Sequence, residues 1–557
     1  MKNLKGFIAG VITTLLIVIV ATTVFAKQEV KTINATYNNI KVTIDGESVT
    51  LKDAAGNSVE PFLYNGTNYL PARAISEAVG YNVDWDSKTN TIVLTKKSGD
   101  STPETDMPGL PNLNMHRKRF TFLTAGWGET DTCTDVVVGE LYDYTDPILR
   151  LAKERQREIE QKYNVVLRRV NEGDNAEAVK MYKEAILAGI DEYDVAITNC
   201  TNFASLLSDR YMHDWEEVPY IDVNKPYWDR NFYDSMAIFG KHYALDGDIT
   251  KRSLETVWIM AFNKNLIANN GLESPFDLVK HGEWTYDKMH EMARYVAQDM
   301  NGDGKMTLED DMWGINYTGD SIMGIINSSG VNLCEFDNKK VPELTMGTEV
   351  NLAKLERIYS TMRNNSYSID TLFKAGGGTT DFRDAQIFSE GRCLFLAAAV
   401  GNIQGHDGYN LRETDVDFGI VPYPKWDIAT PNYTRFTGGG NHPVLTIPST
   451  NRDLESTGII LEAMAYLGSQ TIIPEFYENL LKRKTARDNE SRDMIDYIFG
   501  NLHYDIGNMY NFGGMVGTFG YSMSSQPTAN IVSQIDKYYG PWKRAIDVVV
   551  KSIEANY

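Results

Sequence analysis

Between Asp299 and Asp310 the chain reads DMNGDGKMTLED, with an oxygen-bearing side chain at every second position of its first half. Asp299, Asn301 and Asp303 occupy positions 1, 3 and 5 of a twelve-residue loop. Lys305 offers its carbonyl at position 7 and Thr307 a hydroxyl at position 9. A hard divalent cation gathers about six to eight oxygens, and Gly304 at position 6 permits the sharp turn that folds the chain around it. The spacing is that of an EF-hand-type calcium loop, and in an exported chain the expected role of Ca2+ is structural. One position departs from the pattern. Position 12, usually a bidentate Glu, is Asp310, with Glu309 just before it.

Catalytic spacings do not accompany it. The sequence contains no HExxH, no GxSxG and no GxxxxGK[ST] run. Gly376 to Gly378 and Gly438 to Gly440 lack the Lys-Ser/Thr ending of a phosphate loop and read as turns. Cys133, Cys200, Cys334 and Cys393 form no CxxC motif, and four cysteines can pair in three ways or not at all. An unseen pair of carboxylates working as a glycosidase stays open, because its separation is invisible in sequence.

The loop needs elements to hold it. Tyr286 to Gln298 reads as the helix that leads into it, and Asp at position 12 resembles dockerin-like loops. Upstream, Arg119 to Thr124 reads as a strand, Pro147 to Tyr163 as a helix, Asn164 to Val170 as a strand, Ala176 to Leu187 as a helix and Tyr193 to Thr198 as a strand. Pro147 suits a first helical turn, where its missing N–H costs nothing. Such alternation predicts parallel pairing with right-handed crossovers, and ligands bind at the carboxyl ends of such strands. That points to Trp127 and to the loop Asn199 to Asn202.

The N-terminus sets the compartment. Lys2 and Lys5 precede an uncharged run from Gly6 to Ala26, 21 residues, closed by small residues at Val24 and Ala26. This is the layout of a secretory signal, and the run is also long enough to span about 30 Å of hydrocarbon as an uncleaved anchor. Residues 1–26 are therefore read as signal peptide or membrane anchor, and the rest as extracellular. No cysteine follows for lipid attachment. The net charge of −21, from 54 basic and 75 acidic residues, disfavours nucleic acid and anionic lipid as partners.

Residues 27–97 form a first block of short alternating segments. Asn65-Gly66 signals a hairpin, Arg73 to Val79 a short helix ended by Gly80, and Asn90 to Leu94 a strand. YNGTNYLPARAISEAVGYNVDWDSKTNTIVL resembles the copper amine oxidase N-terminal-like stalk domain found on secreted and cell-wall proteins of Gram-positive bacteria. The oxidase's copper centre is not expected. The chain has eight histidines and no HxH pair. Residues 98–118, rich in Pro, Gly, Ser and Asp, read as a linker.

From Arg119 the order of segments resembles the extracellular solute-binding proteins, family 1, of ABC importers. It is carried by ERQREIEQKYNVVL, LAGIDEYDVAIT, KHYALDGDIT, WIMAFNKNLIANNGLESP, GEWTYDKMHEMA, SEGRCLFLAAAVGNI, FGIVPYPKWD and TGGGNHPVLTIPS. The tail LLKRKTARDNESRDMIDYIFGNLHYDIGNMYNFGG resembles a clostridial branch assigned to sugars. The resemblance implies an α/β fold for 119–557: two periplasmic-binding-protein-like (type II) lobes joined by a hinge. They would close on a carbohydrate that a membrane permease then receives. Recognition alone, without catalysis, is the implied chemistry. The implied ligand contacts are Trp127, Asn199, Trp228, Asp246, Trp258, Trp313, Tyr423, Asn441 and Tyr510. A surface adhesion protein without a transporter, held at the cell wall through the stalk, is the alternative that the domain order keeps open.

Overall fold

The computed structural model describes residues 33–38, 40–44, 47–49, 51–52, 58–65, 67–78, 81–86, 91–96, 107, 109–126, 133–140, 142–143, 145–171, 173–364, 366–370, 383–403, 411, 414–434, 442–479, 488–500, 502–523 and 530–555. The apolar run 1–26, Trp127, Gly80 and Asn441 lie outside them. Among the described residues no helix is long and apolar enough to cross a membrane. The chain divides into two compact units, 1–106 and 107–557.

In the first unit, β1 (Val42–Ile44) pairs with β2 (Glu47–Val49), and β3 (Phe62–Tyr64) with β4 (Thr67–Tyr69), both antiparallel. Tyr64 faces Thr67 across a two-residue connection whose Asn65 has φ 47°. That left-handed value is one that Asn tolerates and tight hairpins demand. Helix α1 (Ala72–Ala78) follows, then the hairpin of β5 (Tyr81–Asp86) and β6 (Thr91–Lys96).

The second unit opens on β7 (Lys118–Thr124), α2 (Pro147–Tyr163), β8 (Val165–Val170), α3 (Asn175–Leu187) and β9 (Val195–Asn199). Asp146 caps α2 by accepting from the Ile148 and Leu149 amides, and Asn164 ends it at φ 47°. Asn164 is thus a helix cap rather than the first residue of a strand. β7 runs parallel to β8 and β9, the pairing expected from the alternation. β10 (Trp258–Asn263), α4 (Tyr286–Val296), β11 (Trp313–Tyr317), α5 (Gly319–Ser328) and the hairpin β12 (Cys334–Phe336)–β13 (Pro342–Leu344) come next. They are followed by α6 (Glu349–Met362), β14 (Ser368–Asp370), β15 (Cys393–Ala399), β16 (Phe418–Val421), β17 (Pro443–Thr446), α7 (Leu454–Gln470) and α8 (Ile531–Glu554).

These strands make two main sheets, β17-β9-β7-β8 and β14-β11-β15-β10-β16. Each sheet is the centre of one lobe. The chain leaves the first sheet after β9, builds the second, and then adds β17 antiparallel to β9. Both faces of the second sheet are covered. Along β10, Trp258, Met260 and Phe262 enter one core while Ile259 and Ala261 enter another. The first sheet packs Phe120, Phe122, Val195 and Ile197 against Ile459, Ile460 and Met464 of α7. Burying such side chains fully stabilises the fold by about 1.5–3 kcal/mol each.

The expected linker does not extend to residue 118. Met107 and Met115 are buried against the first lobe, the Tyr163 hydroxyl donates to Met107 Sδ, and the Met115 amide donates to the Tyr163 carbonyl. Two methionines in a polar, Pro-rich stretch fill a groove beside α2, which outweighs the composition of their neighbours.

Candidate functional site

Two loops of the first lobe meet edge to edge. Trp228 and Gly247 form an antiparallel bridge, with the Asp229 amide donating to the Asp246 carbonyl (3.0 Å) and the Asp248 amide to the Tyr227 carbonyl (2.9 Å). Only glycine fits at 247. A Cβ there would stand 2.5 Å from the Trp228 ring and 2.6 Å from the Tyr227 carbonyl. Gly468 of α7 likewise receives the Asp248 carbonyl, where a Cβ would lie 1.8 Å from that oxygen.

The paired loops wall a cavity of about 290 Å³, completed by Thr250, Ser253, Leu254, Ile473, Leu502 and Tyr504. That volume is at the lower end of the ~300–1,000 Å³ typical of ligand pockets. The cavity lies where the hydrophobic cores meet. Tyr227 and Trp228 belong to the core of the first sheet, Tyr504 to the core shared by both sheets, and Leu254 packs on the second sheet's other face.

Its side chains are fixed from behind. Glu462 on α7 accepts from the Trp228 indole N–H (2.8 Å) and the Tyr227 hydroxyl (2.6 Å). Asp229 caps the helix Arg230–Ser235 through the Phe232 amide and accepts from the Tyr504 hydroxyl. Asp246 accepts from Ser253 (2.6 Å) and from the Gly247 amide (2.8 Å), and its other oxygen lies 3.0 Å from His442 Nε2. The His442 Nδ1 is in turn 3.1 Å from the Thr256 hydroxyl. Beyond the cavity, buried Arg155 donates to the Ile249 and Asp135 carbonyls, and the Asp135 carboxylate holds the Thr250 hydroxyl and the Lys251 amide.

Charge inside the cavity is acidic. Burial raises the Asp229 carboxyl, and Asp246 adds to it. Asp248 is pushed to about 8, by burial first and then by Asp246 and Asp229. Burial likewise raises Glu462.

Of the residues expected to contact a ligand, Trp228 and Asp246 share this cavity. Asn199 ends β9, its amide bonded to Asn175 Oδ1. The other aromatics are placed differently from the expectation. Trp258 begins β10 opposite Ala399 and is 8% exposed. Trp313 is in the core with its indole N–H donating to the Thr307 carbonyl. Tyr423 packs on Gly324, its hydroxyl buried without a partner among the described residues. Tyr510 donates to the Met236 carbonyl and stacks on Phe512. Each of these four side chains is buried in a core and none lines this cavity. Asp229, Asp248, Tyr504, His442 and Glu462 were missed. The signal for the first two was available, since WDR and DGD flank the chosen Trp228 and Asp246.

The loop 299–310 folds as a ring of side-chain-to-amide turns. Asp299 accepts from the Gly302 and Gly304 amides, Asn301 from Asp303, and Asp303 from Lys305. Gly304 has φ 79°. Asp310 accepts from Asn301 Nδ2 and from the Thr307 hydroxyl, and those hydrogen bonds lower its carboxyl pKa. Buried Asp311, not singled out from the sequence, pins the base of the loop through the Met300 and Thr307 amides, and Gln298 bridges Met312. The backbone thus has the turn that a calcium loop needs. The donors fit less completely, because among the described residues no three acidic, His or Cys side chains converge on one point.

Comparison with known proteins follows this geometry. Residues 20–94 match the family model of the copper amine oxidase N-terminal domain. The fold of the larger unit is that of two-lobed solute-binding proteins. The GacH receptor of Streptomyces glaucescens, solved unliganded and with acarbose, matches with 14% identity over 77% of this chain and 99% of its own, at a TM-score of 0.50. UgpB from Mycobacterium tuberculosis, solved with glycerophosphocholine, matches with 14% identity over 72% and 95%, also at 0.50. No curated protein matches the chain.

Proposed function

We propose that the chain is an extracellular solute-binding protein that captures a carbohydrate between its lobes and delivers it to an ABC importer. The observation that carries this reading is the cavity at the meeting of the cores. It combines an indole and a phenol with carboxylates held in place by Glu462, Ser253, His442 and Tyr504. Apolar ring faces and fixed acceptors are what sugar recognition uses. A hinge-bending receptor draws its closure from contacts that both lobes make to the ligand. The solved relatives are binding proteins, which favours capture over catalysis, and acarbose in the GacH receptor fits the carbohydrate class. The stalk match favours retention at the cell surface, through the wall or through an uncleaved 1–26. The structural Ca2+ is part of the proposal, with Asp299, Asn301, Asp303, Asp310, the Lys305 carbonyl and Thr307 as its oxygens.

A thermal-shift panel of neutral, acidic and amino oligosaccharides tests the reading. A sugar that raises Tm and stays intact after overnight incubation supports capture. Hydrolysis of that sugar would replace capture with a glycosidase, and silence across the whole panel would remove the carbohydrate.

A further inference from the structure

The cavity's own side chains are unequal in what they leave for a ligand. Asp229 is occupied on both oxygens, by the Phe232 amide and the Tyr504 hydroxyl. Asp246 is occupied by the Gly247 amide, Ser253 and His442. Asp248 is different. Its amide is tied to Tyr227 and its carbonyl rests on α7, but no donor among the described residues reaches its carboxylate. The one permanent cation among the described residues of the lining, Arg230, donates its guanidinium outward, to Asp234 (2.8 Å) and Asn224 (3.0 Å). Three carboxylates therefore face one cavity, and among the described residues no Lys or Arg pairs with any of them. A partly buried carboxylate without a partner is costly, and an opposite charge within about 4–6 Å relieves that cost.

We propose that this cavity selects carbohydrates bearing an ammonium group, amino sugars and their oligomers, with Asp248 as the residue that reads the charge. The inference rests on the cavity being the ligand site. An ammonium offers three donors and a positive charge to Asp248, and the indole of Trp228 adds attraction for a cation near its ring. A neutral sugar supplies hydroxyl donors but no charge that favours the carboxylate form of Asp248, and a uronic acid adds a fourth carboxylate. Burial, and then Asp246 and Asp229, push the Asp248 carboxyl up to about 8, toward its protonated form. An arriving ammonium favours the carboxylate, so binding expels a proton to buffer.

Calorimetry with the full chain tests this, using a fully deacetylated glucosamine oligomer, the matching glucose oligomer and an oligogalacturonate. Each is titrated at pH 5.5, where the ammonium of the amino sugar is already formed, in two buffers of different ionisation enthalpy. The expected result is binding of the amino sugar at least tenfold tighter than the glucose oligomer, with proton release, and no binding of the uronate. Asp248→Asn should bring the amino sugar to the affinity of the glucose oligomer and abolish proton release. Equal affinity for amino and neutral sugars, or an unchanged preference in D248N, overturns the inference while leaving the cavity as a sugar site. Failure of all three sugars overturns the cavity reading and this inference with it.

Discussion

His290 provides a quantitative test of the second lobe. It is 2% exposed on α4, packed against Tyr286 (ring centroids 4.4 Å) and Tyr367 (5.7 Å), and neither ring nitrogen has a hydrogen-bond partner among the described residues. Burial holds its pKa down to about 3, from an ordinary 6.5, and Arg294 and Arg357 add to the effect. Between those values the unfolded chain binds a proton that the folded chain refuses. Stability due to this group is therefore fully present above about pH 6.5 and falls as pH drops. Going from pH 7 to pH 5 costs about 2 kcal/mol by the same linkage. Raised carboxyls such as Asp505, at about 6, act in the opposite direction and mask part of this in the wild type. A double difference isolates it. Urea unfolding of wild type and His290→Phe at pH 7 and pH 5, followed by tryptophan fluorescence, should show the variant losing about 2 kcal/mol less on acidification. An equal loss in both proteins would mean that His290 is protonated in the folded state, and the packing argument would be wrong.

Three further outcomes follow from the same contacts. Gly247→Ala forces a methyl into the Trp228 ring and the Tyr227 carbonyl, so we expect about 1–3 kcal/mol of destabilisation in urea and loss of sugar binding. EDTA should lower Tm in wild type and leave it unchanged in Asp299→Ala; an EDTA effect that survives the substitution would place any metal elsewhere. Cys133, Cys200, Cys334 and Cys393 are all buried, with no disulfide among them. A thiol reagent should therefore titrate none of them in the folded protein and all of them in guanidinium, with no change in Tm on reduction.

The parts of the fold that were legible in the sequence are those whose causes are local. Asp146, Pro147 and Asn164 bracket α2 by capping and φ preference, and the predicted helix ends where Asn164 turns left-handed. The parallel order of β7, β8 and β9 follows from alternation with α2 and α3. Site residues depend on pairings far apart in the chain. Glu462 is 234 residues from Trp228, and His442 comes from the stretch that returns to the first lobe. An aromatic in a loop-like sequence context carries no mark of whether it faces solvent, ligand or core. Trp313 looks like a loop residue until its indole is seen donating to Thr307. Asp246 was named within a segment of family resemblance, KHYALDGDIT, and Trp228 as an aromatic at an expected loop position; their neighbours Asp229 and Asp248, in WDR and DGD, were not read as site residues.

The most direct test of the account is a crystal structure of the protein with the tightest-binding sugar from the panel. The account predicts a sugar ring in the cavity between Trp228, Asp248 and Tyr504, with the lobes closed on it. A sugar bound elsewhere in the molecule, with that cavity unchanged, would contradict it.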